Sequence, residues 1–179
     1  MKIAAFIAKK DVKAALKAWP VMFFAAGGIC FATSMTAKFF GCELREQASL
    51  DIFKNAHGWR LVLFCLYAVI GAPVAEECIF RALLFRLPTV SLGKKLAVKA
   101  VPGLEKTLLA AFAAVSSILF TAMHYGKVNP FPDNAFLALF FIGVFQCMLY
   151  TRTGRLSVVI INHILFNLTN LVALAVFGL

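Results

Sequence analysis

Long apolar stretches alternate with short polar ones along the chain, and five of the apolar stretches approach the length of a membrane-spanning helix, about 20 residues. They cover residues 20–37, 59–87, 107–125, 135–150 and 156–179. The second stretch is longer than one span requires and contains Pro73, so we expect it to tilt, to break near Pro73 or to continue past the membrane. The pattern therefore predicts an all-α fold, a polytopic transmembrane helical bundle of about five spans.

The first 19 residues differ from these stretches because five lysines are interleaved with apolar residues such as Ile3, Phe6 and Leu16. This arrangement predicts a basic amphipathic helix that lies on the membrane surface. We therefore divide the chain into this surface helix, residues 1–19, and a single transmembrane domain, residues 20–179.

Composition supports a membrane protein, since 62% of the residues are hydrophobic and 15% are charged, whereas a soluble domain is nearer one half and one quarter. We assign the net charge of +10 to loop lysines that set topology and contact anionic headgroups. Nucleic-acid binding would need a basic soluble face, so we expect the lipid bilayer and no nucleic acid as a partner. Thirteen Lys and Arg residues on one predicted side against five on the other favour a cytoplasmic N-terminus. We expect a multi-pass protein of the plasma (inner) membrane.

Three polar insertions interrupt the apolar pattern, and ionisable residues within a membrane span are functional-site hypotheses. The first insertion contains Glu76, Glu77 and Arg81. Glu77 and Arg81 are four residues apart on a helix and can form an ion pair. Glu76 is rotated by about 100° from Glu77, lacks a local partner and is a candidate general base. The alternative is that both glutamates cap a helix or line a loop, with Arg81 at the surface.

The second and third insertions lie in the third and fifth apolar stretches. Phe120 and His124 are one helical turn apart, and the alternative for His124 is an ordinary residue at the membrane interface. His163, Asn167 and Asn170 form a polar stripe on one helix face, and in lipid such groups need partners on other helices. For Asn170 we favour helix–helix packing, whereas His163 and Asn167 fit either packing or function.

One carboxylate, two histidines and an amide are suited to hydrolysis. Glu76 would accept a proton from a water molecule, and His124 would orient that water. His163 and Asn167 would donate hydrogen bonds to the oxyanion of a tetrahedral intermediate. Glu76, His124 and His163 are also a chemically plausible zinc set, although no HExxH spacing fixes a metal.

These motifs resemble, in their order along the chain, those of the CPBP family of intramembrane proteases, the CAAX-protease and bacteriocin-processing group that includes type II CAAX prenyl endopeptidases. The matching residues are Glu76, Glu77 and Arg81, then Phe120 and His124, then His163 and Asn167. The resemblance covers about residues 61–170 and implies a protease-like core in a helical bundle, with the site between helices. It implies an intramembrane endopeptidase that acts on a membrane-associated protein or peptide, in CAAX-type or peptide-precursor processing.

The resemblance also implies a role for each catalytic residue. Glu76 matches the family's catalytic glutamate, and His124 matches the residue that activates water with it. His163 and Asn167 match the proposed oxyanion hole.

Structural support is the role that the resemblance gives to Glu77, Arg81 and Phe120, in agreement with the spacing of the first two. The family was first described as metalloproteases, but a mechanism with glutamate-activated water needs no metal. We therefore expect no cofactor, and a zinc-dependent variant is the alternative.

Two other functions compete with the protease. A catalytically silent membrane scaffold or immunity protein would keep the fold without the reaction. A proton-coupled transporter would use Glu76, His124 and His163 as a relay. Transporters of this kind commonly contain an internal repeat, and the sequence has none.

The depth of the motifs in the membrane raises a geometric question. At about 1.5 Å of rise per residue, Glu76 lies about 15 Å from a turn near Arg86, and His124 lies about 30 Å from the same side. The two side chains can meet only if the third helix starts outside the bilayer, or if helices tilt or break near Pro73.

Overall fold

The computed structural model describes residues 8–44, 53, 55–96, 103–125 and 133–177. All regular structure in this part of the chain is helical, and five of the helices are long. They are α1 (Lys9–Phe39), α2 (residues 59–96), α3 (Leu104–Met123), α4 (Phe136–Thr153) and α5 (Leu156–Phe177). Each contains a stretch that is long and apolar enough to cross a membrane, which confirms the predicted all-α polytopic bundle.

The first helix, α1, runs without interruption from the predicted surface segment into the first predicted span, with Pro20 inside it. The lysines of its first turns are exposed, whereas Asp11 and Ala15 are buried. The predicted division at residue 19 therefore does not coincide with a helix end. The surface position of residues 1–19 stays a prediction, and residues 1–7 lie outside the described part of the chain.

The second helix, α2, changes its hydrogen-bond pattern on both sides of Pro73. Its five consecutive segments alternate between α and π geometry: Trp59–Leu66 (α), Tyr67–Gly71 (π), Ala72–Glu76 (α), Glu77–Arg86 (π) and Leu87–Leu96 (α). After the first π segment, the Ala72 N–H bonds to the carbonyl of Tyr67. Pro73 has no N–H to offer to the next carbonyl, that of Ala68. π segments inside α-helices are rare and are frequently found at functional sites.

The length of α2 answers the question of depth. The helix does not end near Arg86 but continues to Leu96. Glu76 lies 20 residues before the end of α2, and His124 lies 20 residues after the start of α3. With a similar rise per residue in both helices, Glu76 and His124 lie at the same distance from the facing ends of α2 and α3. The two side chains can therefore meet without a break at Pro73. The helix extends past residue 87, where the predicted stretch ended, whereas its continuation past the membrane stays a prediction.

The buried core lies where the helices cross. α1 packs against α4 and α5, and α3 packs against α4 and the Glu77–Arg86 segment of α2. The core side chains are Met22, Ala26, Phe80, Phe120, Ala138 and Ile142. Large apolar side chains such as Phe24, Leu63 and Val172 are exposed on the outside, as expected for a surface that contacts lipid.

Gly143 allows α3 and α4 to approach closely. A Cβ atom at Gly143 would lie 2.8 Å from the Cβ of Ser117, closer than two such atoms can pack. Small residues let membrane helices bring their backbones together in this way. The approach places the carbonyl of Gly143 beside the buried polar groups of α2.

Candidate functional site

Glu77 is the centre of a buried ionic group. Its Oε2 lies 3.1 Å from Arg81 Nε, and its Oε1 lies 2.7 Å from His163 Nδ1. The side chains of Glu77 and Arg81 are fully buried, and Arg81 Nη2 also donates to the carbonyl of Gly143 at 3.5 Å. The predicted ion pair is confirmed, and the alternative with Arg81 at the surface is wrong. The bond from His163 is a further contact that the motif spacing did not predict.

Glu76 lies on the other side of the same imidazole. Its Oε2 is 3.8 Å from His163 Nε2, and its side chain is 14% exposed. Glu76 and Glu77 stand where α2 passes into its second π segment. Each π turn holds more residues than an α turn, so neighbouring side chains point in closer directions, and both carboxylates reach one histidine. Glu76 therefore has a partner from another helix, although it lacks one on its own helix.

The two contacts assign different roles to the nitrogens of His163. An ionised carboxylate only accepts hydrogen bonds, so Nδ1 carries the proton of the 2.7 Å bond to Glu77. His163 Nε2 is then an acceptor in the neutral ring and a donor in the imidazolium. A carboxylate behind a histidine fixes the tautomer and stabilises the imidazolium. Glu77 thus both pairs with Arg81 and orients His163.

The ring of Phe120 contacts the titratable groups around it. Its centroid lies 4.7 Å from that of His124 and 6.1 Å from that of His163. The guanidinium carbon of Arg81 lies 4.4 Å from the same centroid, within the range of a cation–π contact. Phe80 packs edge-on against the ring at 5.5 Å. A single aromatic side chain therefore joins the second motif to the first and third.

His124 follows the last turn of α3. Its Nδ1 donates to the carbonyl of Phe120 at 2.8 Å, because a carbonyl can only accept. In the neutral ring, Nε2 therefore carries the lone pair. Both His124 and His163 lie within electrostatic reach of the Glu76 carboxylate.

The residue after His124 ties the end of α3 back to α4. The hydroxyl of Tyr125 donates to Asp133 Oδ1 at 2.5 Å, and the N–H of Ala135 donates to the same oxygen at 3.0 Å. Burial, together with the bond to Asp133, raises the pKa of Tyr125. The hydroxyl therefore stays protonated and remains a donor.

Asn167 connects α5 to the first π segment of α2. Its Nδ2 donates to the carbonyl of Ala68 at 2.8 Å. Pro73 cannot donate to this carbonyl because it has no backbone N–H. An unpaired carbonyl is costly inside a membrane, so Asn167 acts as a contact between helices. A primary amide has two N–H bonds, and this contact uses one of them.

The predicted site residues meet in one region between α2, α3 and α5. Among the described residues, no three His, Cys, Asp or Glu side chains are placed to hold one metal ion. The set Glu76, His124 and His163 is included in that statement. The geometry therefore gives no support to the zinc alternative.

Backbone acceptors are the part of this region that sequence reasoning missed. The carbonyls of Ala68, Phe80 and Gly143 each accept a hydrogen bond from a polar side chain of another helix. A carbonyl carries no residue-specific signal. Pro73 is the exception: because proline has no backbone N–H, its position in the sequence indicates where such an acceptor is available.

The chain was compared with models of known protein families. The family model described as "Type II CAAX prenyl endopeptidase Rce1-like" matches residues 58–169, which is more than half of the chain. This segment contains all three polar motifs and agrees with the predicted core of about residues 61–170. No curated protein and no solved structure matches the chain.

Proposed function

The chain belongs to the Rce1-like family of type II CAAX prenyl endopeptidases, and we propose from this that it hydrolyses a peptide bond of a membrane-associated protein or peptide, with a water molecule activated by Glu76. The family assigns a CAAX-type intramembrane protease in general terms. The glutamate mechanism, the independence from metal and the class of substrate are our proposal.

The observation that carries the mechanism is the position of His163 between two unequal carboxylates. Glu77 is fully buried, with Oε2 in an ion pair with Arg81 and Oε1 hydrogen-bonded to His163. Glu76 stands 3.8 Å from His163 Nε2 and keeps 14% of its side chain exposed. The partly exposed carboxylate is the one that a water molecule can reach, which supports Glu76 as the general base.

In the proposed reaction, Glu76 takes a proton from water while the water oxygen forms a bond to the carbonyl carbon of the substrate. The electron pair of the carbonyl π bond moves to its oxygen and gives a tetrahedral oxyanion. When the C–N bond breaks, the oxyanion returns to a carbonyl, and Glu76 gives its proton to the leaving nitrogen. The products are a new carboxyl terminus and a new amine.

The other site residues would position the water and stabilise the charge. Nε2 of neutral His124 would accept a hydrogen bond from the other O–H of the water, because Nδ1 already donates to Phe120. Nε2–H of protonated His163 and the second amide N–H of Asn167 would donate to the oxyanion. Glu77 would stabilise the imidazolium of His163 from behind.

Cleavage in proteoliposomes tests this proposal. The wild type, Glu76→Gln and the control Glu105→Gln, an exposed glutamate at the start of α3, would receive a pool of prenylated and unprenylated peptides, with and without chelator. We expect cleavage that survives chelation and is lost only in Glu76→Gln. Loss on chelation would replace the mechanism with a metal-dependent one. If the wild type cleaves nothing but takes up solute in proton-loaded vesicles, the transporter alternative is correct.

The orientation in the membrane is also a proposal. Arg81 is buried in the site, so it leaves the count of loop charges, which becomes twelve against five and still favours a cytoplasmic N-terminus. The contact between Asp11 and Arg155 puts the start of α1 and the α4–α5 turn at the same end of the bundle, as the proposed orientation requires. We propose an inner-membrane position with both at the cytoplasmic face, and reporter fusions after residues 8 and 154 test it.

A further inference from the structure

The start of α1 contains another buried carboxylate, outside the segment that matches the family. Asp11 has no exposed surface, and its Oδ2 accepts from Arg155 Nη2 at 2.7 Å and from Ser157 Oγ at 2.8 Å. Its Oδ1 lies 2.5 Å from Arg155 Nε. Asp11 is thus held by two side-chain hydrogen bonds, one of them charge-assisted, and by the ion pair with Arg155. We call Asp11, Arg155 and Ser157 the α1–α5 clamp.

A separate contact joins α1 to α5 beside the site. Asn162 Nδ2 donates to the carbonyl of Ala15 at 3.3 Å, and both residues are buried. Asn162 directly precedes His163. The clamp at Ser157 and the bond at Asn162 therefore hold α5 to α1 over about 8 Å of helix.

The position of α5 decides the geometry of His163. The bond from His163 Nδ1 to Glu77 is 2.7 Å long, and hydrogen bonds of this type are lost beyond about 3.2–3.5 Å. A displacement of α5 by about 1 Å would therefore break this bond, and misplacement on that scale can cost on the order of 10²-fold in rate. The same displacement would move Nε2 relative to Glu76.

We propose that Asp11 is a positioning residue: through the α1–α5 clamp, the start of α1 holds α5 so that His163 stays between Glu77 and Glu76. The catalytic consequence rests on the proposed function, whereas the positioning is a property of the fold. The unit that carries the site then extends beyond residues 58–169 and includes the first two turns of α1.

The test follows the Nδ1–H proton of His163 by NMR, in the full chain labelled with ¹⁵N-histidine and placed in lipid nanodiscs. The chain has three histidines, His57, His124 and His163, so the signal is assigned by its loss in His163→Gln. A proton in a short bond to a carboxylate resonates far downfield. In Asp11→Asn we expect this signal to move upfield or to disappear.

The matched control is Asp133→Asn. It also removes a buried carboxylate, 3% exposed, but one whose bonds go to Tyr125 and Ala135 rather than to α5. We expect the His163 signal to stay in place in this control. If Asp11→Asn does not fold, Ser157→Ala removes one clamp donor and should move the signal in the same direction by a smaller amount.

Cleavage assays extend the test to the reaction. In Asp11→Asn we expect kcat to fall on the order of 10-fold to 100-fold with KM unchanged, and the pH profile of kcat to move because His163 loses its carboxylate partner. An unchanged His163 signal in folded Asp11→Asn protein would overturn the proposal, even where the melting temperature falls. Because the NMR readout does not need cleavage, a wild type without activity would contradict the proposed function and leave the positioning result intact.

Discussion

Glu77 and Asp11 are two buried carboxylates that are held in similar ways at different places in the bundle. Each lies beside an arginine Nε and accepts a hydrogen bond from α5, from His163 in one case and from Ser157 in the other. The clamp joins one carboxylate to one arginine. At Glu77 a second carboxylate, Glu76, faces the same histidine and is partly exposed.

This difference separates a group that fixes geometry from a group that can react. A buried ion pair costs desolvation, and its benefit lies in specifying one arrangement of the helices. Glu77 and Asp11 both fit that description because each is fully buried and paired with an arginine. Glu76 does not, because its side chain is partly exposed and its contact with His163 is 3.8 Å long, so it can exchange a proton with water without breaking the fold.

The largest expected effect is the loss of activity in Glu76→Gln. The amide cannot accept a proton from water, so we expect kcat to fall by about 10²–10⁴-fold. The carboxylate makes no ion pair with Arg or Lys in the described part of the chain, so the unfolding midpoint in detergent should change little. Peptide cleavage and thermal unfolding on the same preparation measure both. A large loss of stability would place Glu76 with Glu77 as a structural residue.

Glu77→Gln, in contrast to Glu76→Gln, should strongly lower the stability of the fold. It leaves the buried Arg81 without its counter-ion, and breaking one partner of a buried pair costs about 3–5 kcal/mol. We expect the free energy of unfolding to fall by that amount, and activity to fall as well because His163 loses its orienting carboxylate. Denaturant titration of Glu77→Gln beside Arg81→Gln checks the origin of the effect: the two losses should not add in the double variant.

The sequence predicted the parts of this comparison that depend on local spacing. The long apolar stretches are enough to predict the five helices, and the i, i+4 spacing of Glu77 and Arg81 is enough to predict their ion pair. The estimate that Glu76 and His124 lie at different depths was wrong because it placed the turn near Arg86, whereas the helix continues through Pro88 to Leu96.

The contacts between distant helices could not be predicted in the same way. Asp11 and Arg155 are 144 residues apart, and Asp11 among lysines has the pattern of an ordinary solvated charge. The contact of both glutamates with His163 joins α2 to α5, 86 residues apart for Glu77, and no local spacing indicates it. Only the packed helices reveal either contact.

Gly143→Ala should have an intermediate effect. The added Cβ would meet Ser117 at 2.8 Å, so α3 and α4 must separate, at a cost of about 1–3 kcal/mol. Gly27→Ala is the control, since a Cβ there meets nothing within 4 Å, and it should be neutral or slightly stabilising. Thermal unfolding of both variants measures the difference. Equal stability of the two would mean that the helices are not held together at Gly143.

The smallest expected change in stability is that of Asn167→Ala, and it helps to distinguish the two roles of Asn167. Asn167→Ala leaves the Ala68 carbonyl without its donor, and hydrogen bonds between membrane helices average about 0.6 kcal/mol. Pro73→Ala supplies an N–H on the same helix, so in the Pro73→Ala background the stability cost of Asn167→Ala should become smaller. The proposed oxyanion contact cannot be replaced in this way, so kcat should stay reduced, on the order of 10²-fold. If activity recovers together with stability in the double variant, Asn167 serves packing alone, and the oxyanion hole must be built from other donors.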